Sequence, residues 1–340
     1  MPAQENRPRD LETMGNDMTS RPLMIMAVAA GLCLTGAAAF AQTAFPTKQV
    51  TIVVPYPPGG TTDIYARMIG QALEKKLGQP FVIENKPGGA TQVAASHVAN
   101  AAADGHTLMM STITTMSMNP LMFKNLAYDP ASLIPVGLIA RQSYALVAPP
   151  NSEHDTVEKI VAYAKEHPGE LNYGTHGNGS SVHLVTELFS GIAGMDVVPI
   201  HYAGSTPALT ATMAGEVDFY FDGITTSLPA IADGRVKGVA MTGKQRAEAA
   251  PDLPAMTETY PDMYAYTWYG IIAPKDTPRE VVELLNREIN AAIQTPEMLD
   301  RLKKDAVEPG NMTPEEFGAM IAADTEQWRG IVTDLNITLD

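Results

Sequence analysis

Segments with strand and helix patterns alternate along the first two thirds of the chain, and this alternation constrains the fold most strongly. The first pair is the β-branched apolar run at residues 51–54, followed by apolar residues at helical spacing from Ile64 to Leu77. Such alternation predicts parallel sheets with helices on both faces. The chain after residue 41, about 300 residues, exceeds one typical domain, so we expect two α/β lobes that share interleaved strands.

Residues 1–41 are predicted to be a signal peptide with an upstream extension. Arg21 precedes an apolar stretch at residues 23–34 that is too short to span a bilayer, and the small residues ending at Ala41 fit a cleavage site. We expect export with cleavage near Ala41; a membrane anchor is the alternative interpretation. The only cysteine, Cys33, lies in this stretch, so the exported chain can form neither disulfides nor thiolate metal sites.

The chain is acidic, with a formal net charge of −15 at pH 7. This balance argues against nucleic acid and against anionic membrane surfaces as partners. An anionic ligand would also meet an unfavourable overall field. A site for such a ligand must therefore rely on local hydrogen-bond donors.

Five loops that follow predicted strands share a composition that favours binding of a small anion. They are rich in Gly, Ser, Thr, Tyr and Asn, contain neither Lys nor Arg, and span residues 56–63, 111–115, 174–181, 202–205 and 222–226. In open α/β sheets, ligands bind beyond the carboxyl ends of strands, where the N–H groups of a helix's first turn favour an anion. The alternative interpretation is that these residues only cap helices and form turns.

Titratable residues in and near these loops have competing interpretations. Asp63 either orients a donor group of the ligand or interacts favourably with the dipole of its helix. Asp222 follows a buried apolar run, where a charge is costly unless it is hydrogen-bonded. His176 is expected to face the cleft, whereas His183 is expected to pack within a helix.

Motifs of the common enzyme classes are absent from the sequence. It contains no G-x-S-x-G elbow, no H-E-x-x-H zinc motif, no Walker loop and no complete dinucleotide fingerprint. We therefore expect no catalytic residue, no metal and no cofactor. The alternative from another class is an exported hydrolase that uses Ser180 with His183 or His176.

Several motifs together resemble those of the solute-binding receptors of tripartite tricarboxylate transporters, the Bug family. The resemblance extends from Phe45 to the end of the chain. Its main motifs are T-I-V-V-P-Y-P-P-G-G-x-x-D at residues 51–63, V-I-E-N-x-P-G-G at 82–89, D-G-H-T-L at 104–108, Y-G-T-x-G-x-G-S-x-x-H-L at 173–184 and W-Y-G-I-I-A-P at 268–274.

The resemblance implies a type II periplasmic binding-protein fold, with two doubly wound α/β domains and a ligand cleft between them. We expect domain 1 to comprise residues 42–142 and 267–340, and domain 2 residues 143–266. The family's function implies a periplasmic monomer that captures a small di- or tricarboxylate, aliphatic or aromatic, and presents it to membrane transporter subunits. A ligand-sensing module of a signalling system is the alternative.

The resemblance also implies which residues hold the ligand's carboxylate. The matching positions are Gly59, Gly60, Thr61, Asp63, Thr175, Gly177, Ser180, Tyr202 and Asp222. Together with neighbours in the five loops, namely Tyr56, Ser111, Thr115, His176 and Gly204, they form the predicted ligand-binding site. The sequence departs from the family at Met116, where a histidine is frequent, and at His176 and Asn178, whose size would shape specificity for the far end of the ligand.

Overall fold

The computed structural model describes residues 45–334 and 337–339. The predicted leader, its cleavage site near Ala41 and Cys33 lie outside the described residues. Phe45–Asp340 form one compact unit. Within the described ranges, no helix is both long enough and apolar enough to cross a membrane.

Strands and helices alternate through this unit. The strands are β1 (Val50–Val54), β2 (Phe81–Asn85), β3 (Thr107–Thr112), β4 (Leu133–Ala148), β5 (Asn172–Thr175), β6 (Val198–His201), β7 (Phe219–Gly223), β8 (Lys237–Met241), β9 (Tyr266–Pro274) and β10 (Glu308–Pro309). The helices are α1 (Thr61–Leu77), α2 (Gln92–Ala99), α3 (Asn119–Met122), α4 (Val157–Glu166), α5 (Ser181–Ala193), α6 (Ser205–Ala214), α7 (Ile224–Ala232), α8 (Arg279–Ile293), α9 (Pro296–Lys304) and α10 (Pro314–Asp334). A π-helical turn, Thr114–Met118, leads directly into α3.

The strands form one mixed sheet in the order β2-β1-β3-β9-β4-β7-β5-β6, with β8 and β10 paired to β4. Strand β1 is parallel to β2 and β3, and β5 is parallel to β6 and β7. The expected parallel pairing is therefore present in both halves. Strands β4 and β9 differ, because they run antiparallel to all their neighbours and join the two halves at the centre of the sheet.

Strand β4 changes its partners along its length. The two strands predicted at residues 133–140 and 144–148 form a single strand of 16 residues. Residues 133–143 pair with β9, whereas residues 144–148 pair with β7 and β8. This change lies next to the predicted boundary at residue 142. The division into two domains remains a prediction, because Phe45–Asp340 cluster as one unit.

The local sequence explains where α1 begins and ends. Gly59 has φ +90°, a left-handed conformation that suits glycine, and the extended Gly60 precedes the first helical turn. Asp63 lies in that turn, where a negative charge interacts favourably with the helix dipole. Gly78 ends the helix at φ +74°. The buried face of α1, including Ile69, packs into the core.

Helix α2 begins later than the sequence predicts. The helix expected from residue 88 starts at Gln92, because Gly88, Gly89, Ala90 and Thr91 all have positive φ. This backbone cannot continue into a right-handed helix. Residues 88–91 remain a loop beside the candidate site.

Candidate ligand-binding site

An inner cavity of about 30 Å³ lies where the five loops meet. Tyr56, Gly60, Thr61, His176 and Asp222, all predicted for the site, line it. The lining also includes polar residues from the same loops and from the central strands: Thr112, Tyr144, Ser181, Ser205, Thr267 and Tyr269.

Three hydroxyls of this lining are buried without a hydrogen bond of good geometry among the described residues. They are Thr61 Oγ1, Thr112 Oγ1 and Tyr144 OH, on residues that are at most 4 % exposed. A buried hydroxyl without such a bond costs about 1–3 kcal/mol, so an acceptor in the cavity would stabilise these groups. Burial raises the pKa of Tyr144 more than the nearby Ser181 and Thr267 hydroxyls lower it, so the phenol stays protonated. All three groups can donate to an acceptor in the cavity.

Four helices begin at the inner cavity. Gly60 precedes α1, Ser181 and Ser205 are the first residues of α5 and α6, and Gly223 precedes α7. The first N–H groups of a helix have no partner within the helix, and the dipole there favours an anion. Among the described residues, no Lys or Arg lines this cavity. The arrangement can therefore hold a small anion through N–H and O–H donors alone.

Asp222 is fully buried beside the cavity, and hydroxyl groups surround its carboxylate. It accepts hydrogen bonds from Ser205 Oγ at 2.7 Å, Tyr220 OH at 2.9 Å, Thr226 Oγ1 at 2.6 Å and Ser227 Oγ at 3.1 Å. Burial raises the pKa of Asp222, but the nearby His176 ring and hydrogen bonds from Thr226 and Ser205 lower it more, so it lies below its usual value. The ionised carboxylate thus orients the hydroxyls around it, including that of Ser205 in the lining.

The carboxylate of Asp63 stabilises the first loop through hydrogen bonds. It accepts hydrogen bonds from the Gly59 N–H at 3.0 Å, from Nε and Nη2 of Arg67 at 2.9 Å each and from Asn85 Nδ2 at 3.0 Å. Asp63 lines neither the inner cavity nor the outer one described next. Direct contact between Asp63 and a ligand stays a prediction.

An outer cavity of about 420 Å³ adjoins the inner one. Tyr56 and His176 line both cavities, and their ring centroids lie 6.0 Å apart with the rings edge to face. Residues 88–91, Gly177 and Tyr202 form further parts of the outer lining. The two cavities therefore share the Tyr56–His176 pair as a common border.

The first and fourth loops touch each other beside the cavities. Thr206 Oγ1 donates to Pro58 O at 3.3 Å. A Cβ atom on Gly204 would lie 2.9 Å from Pro57 Cδ, and one on Gly59 would lie 3.3 Å from Thr206 Oγ1. Both predicted glycines thus allow close contact between the loops without lining either cavity.

Four other predicted site residues are buried but line neither cavity. Ser111 Oγ donates to the Thr112 carbonyl, and Thr115 Oγ1 donates to Thr91 Oγ1 at 2.9 Å. Thr175 Oγ1 is hydrogen-bonded to His201, and Ser180 Oγ caps α5 by accepting the His183 N–H. These positions support the loops in this structure, and their contact with a ligand stays a prediction.

The sequence interpretation missed the lining residues that lie within strands. Tyr144 belongs to β4, and Thr267 and Tyr269 belong to β9, whereas the predicted site comprises only loops that follow strand ends. The sequence of β9 does contain an indication of the site, because hydroxyl-bearing residues lie among the apolar residues of this buried strand. Such groups need a partner when buried, which marks them as candidates.

The geometry does not form the serine–histidine pair of the hydrolase alternative. Nδ1 of His183 accepts the Gly179 N–H at 3.1 Å, and Ser180 Oγ accepts the backbone N–H of His183 at 3.3 Å. The His183 ring is thus engaged by backbone rather than by the serine hydroxyl. In the described part of the chain, no group of three or more His, Cys, Asp or Glu residues is placed to hold a metal ion.

The fold and the sequence of this chain are similar to those of several proteins of known structure. Rpa4515 of R. palustris, solved with adipate, has 33 % identity and a TM-score of 0.84 over 86 % of this chain and 99 % of its own. MatC of Rhodopseudomonas palustris, solved with malate, has 31 % identity and a TM-score of 0.81 over 85 % of this chain and 100 % of its own. The periplasmic binding protein BugD has 28 % identity and a TM-score of 0.82 over 86 % and 99 %.

These similarities confirm the predicted type II periplasmic binding-protein fold and the predicted family. Residues 65–337 match the sequence profile of the tripartite tricarboxylate transporter family receptor. The chain belongs to this family of solute-binding receptors.

Proposed function

We propose that this receptor is exported to the periplasm and binds a small dicarboxylate across the two cavities. The observation that carries the proposal is the set of three buried hydroxyls that make no hydrogen bond of good geometry among the described residues, at the junction of four helix N-termini. A carboxylate is the acceptor that such donors suit, because hydrogen bonds to an ionised group are the stronger ones. The ligands named for Rpa4515 and MatC, adipate and malate, belong to this class.

The two cavities suit the two ends of such a ligand. The inner cavity of about 30 Å³ has room for about two water-sized groups, which suits the two oxygens of a carboxylate. The outer cavity of about 420 Å³ has the size of a small-molecule site. We place one carboxylate in the inner cavity and the rest of the ligand past Tyr56 and His176, with the far end near Asn178 and the loop at residues 88–91.

Residues 1–41 serve as the export signal, and residues 42–142 with 267–340 move against residues 143–266 as two domains. The protein acts as a monomer without catalysis and presents the bound ligand to membrane subunits of a transporter.

A binding assay with matched ligands tests the proposal. We would titrate the purified protein with malate, succinate, adipate, citrate and the neutral analogue adipamide, by calorimetry and thermal unfolding. A bound carboxylate should stabilise the fold by about 2.7 kcal/mol at a hundredfold excess over its Kd. Adipamide should bind far more weakly, because it lacks the charge. Equal binding of adipate and adipamide, or no binding of any carboxylate, would contradict the proposal.

A further inference from the structure

The segment at residues 337–339, which we call the strap, forms part of the wall of the outer cavity. We propose that Leu339 of the strap determines which ligand length the outer cavity accepts and slows release of the ligand. This inference rests on the proposed binding function.

Backbone hydrogen bonds hold the strap in place at both of its described ends. The Leu339 N–H donates to the Met122 carbonyl at 2.9 Å, and the Lys124 N–H donates to the Leu339 carbonyl at 3.2 Å, so that Leu339 pairs in parallel with Phe123. The Ile337 N–H donates to the Val332 carbonyl at 3.1 Å in α10. The strap therefore connects α10 to the segment that follows α3.

The side chain of Leu339 reaches the third loop of the candidate site. A Cβ atom on Gly179 would lie 2.4 Å from Leu339 Cδ1 and 3.3 Å from Phe123 Cε2. Gly177 and Asn178, immediately before Gly179, line the outer cavity together with Leu339 and Phe123. Leu339 thus packs between residue 123, which lies between β3 and β4, and the loop that follows β5.

In this position, Leu339 affects a bound ligand in two ways. Its side chain adds an apolar surface to the outer cavity, so shortening it enlarges the space for the far end of the ligand. It also contacts two separate segments of the cavity wall, at Phe123 and in the third loop, so it holds them together while a ligand is bound. Among the described residues, two backbone hydrogen bonds and the apolar side chain of Leu339 hold the strap at the cavity, and Ile337 packs against the core.

The test compares Leu339→Ala with the matched control Ile337→Ala. Both substitutions shorten an aliphatic side chain of the strap, but only Leu339 lines the cavity. Affinities for succinate, adipate and suberate would be measured by calorimetry, and dissociation rate constants by stopped flow. We expect Leu339→Ala to raise the dissociation rate constant about fivefold or more, since changes at one interface act mainly on dissociation. Its preference for suberate, the longest of the three, over the shorter ligands should also increase about tenfold, which corresponds to about 1.4 kcal/mol of binding free energy.

The controls separate this inference from the proposed function. Ile337→Ala and the volume-conserving Leu339→Met should keep the length preference and the dissociation rates of the unchanged protein. If the unchanged protein binds dicarboxylates and Leu339→Ala releases them at the same rate with the same preference, the strap proposal is wrong while the function stands. If the unchanged protein binds neither these three nor malate nor citrate, the proposed function fails and the role of Leu339 fails with it.

Discussion

Nε2 of His176 lies 3.8 Å from Oδ1 of Asp222, and the hydroxyl of Tyr220 is hydrogen-bonded to both. Because Tyr220 donates its proton to Asp222 at 2.9 Å, its oxygen accepts the N–H of His176. The charge of a fully buried carboxylate is thereby linked to the ring that borders both cavities. This link orients His176.

Removing the linking hydroxyl should weaken ligand binding. In Tyr220→Phe, His176 loses its acceptor and Asp222 loses one of four hydroxyl donors, so we expect affinity to fall about threefold to tenfold and stability by about 1 kcal/mol. Calorimetry and urea unfolding would measure the two effects. Tyr173→Phe is the matched control, because the Tyr173 hydroxyl is hydrogen-bonded to Glu187 and lines neither cavity. An equal loss of affinity in both variants would contradict the link.

Thr61→Val should separate binding from stability. Thr61 Oγ1 has no hydrogen-bond partner of good geometry among the described residues, so its loss should leave the free energy of unfolding unchanged or raise it. Affinity for adipate should fall about tenfold, since a hydrogen bond to a charged group contributes about 1.5–3 kcal/mol.

Thr115→Val is the control for Thr61→Val. Its hydroxyl lines neither cavity and donates to Thr91, which lines only the outer one, so this variant should lose about 1 kcal/mol of stability and change affinity far less than Thr61→Val. If Thr115→Val lost affinity while Thr61→Val kept it, the ligand's carboxylate would not lie beside Thr61.

Asp63→Asn tests whether Asp63 holds the first loop. Burial raises the pKa of Asp63, but hydrogen bonds from Arg67, Gly59 and Asn85 lower it more, so the pKa lies below its usual value. A carboxyl with a depressed pKa stabilises the fold above its unfolded pKa, near ~3.9, and this stabilisation is lost as pH falls through the folded pKa. We expect Asp63→Asn to lose about 1–2 kcal/mol near neutral pH, discounted for the half-exposed Arg67.

Urea unfolding near neutral pH and near pH 3 would measure this effect. The difference between the two proteins should shrink at the lower pH. The control Asp233→Asn changes an exposed carboxylate, so it should alter the free energy of unfolding by less than about 0.5 kcal/mol. A difference at Asp63 that grows on acidification would contradict the proposed role.

His183 should make the fold less stable in mild acid. Burial, together with the nearby His201 ring, lowers the pKa of His183 to about 4. Because the folded state keeps this ring neutral, its contribution is complete above the unfolded pKa of about 6.5 and is lost as pH falls towards 4, on the order of 3 kcal/mol in total.

Thermal unfolding from pH 7.5 to 4 would measure this dependence. His183→Gln should unfold with a shallower decrease across that range. The control His167→Gln changes a side chain that is 42 % exposed, and it should retain the decrease in stability. Equal slopes in all three proteins would show that other groups cause the acid sensitivity.

Local pattern was sufficient for much of the fold. The β-branched run, the glycine turn and the helical spacing near residue 60 predict β1 and α1, and these elements occur at Val50–Val54 and Thr61–Leu77. Each signal acts within one element and needs no distant partner. The predicted start of α2 was wrong by four residues, because no periodic pattern in the sequence indicates the left-handed backbone of residues 88–91.

The sequence by itself determined the family, most of the elements and the loops that supply Tyr56, Thr61, His176 and Asp222 to the inner cavity. Motifs and strand ends can be recognised from neighbouring residues alone. Only the tertiary structure decided that Tyr144, Thr267 and Tyr269 complete this lining, and that the strap reaches the outer cavity. Which face a strand residue occupies depends on its register with strands far away in the sequence, and that register is determined only when β4 and β9 pair across the sheet.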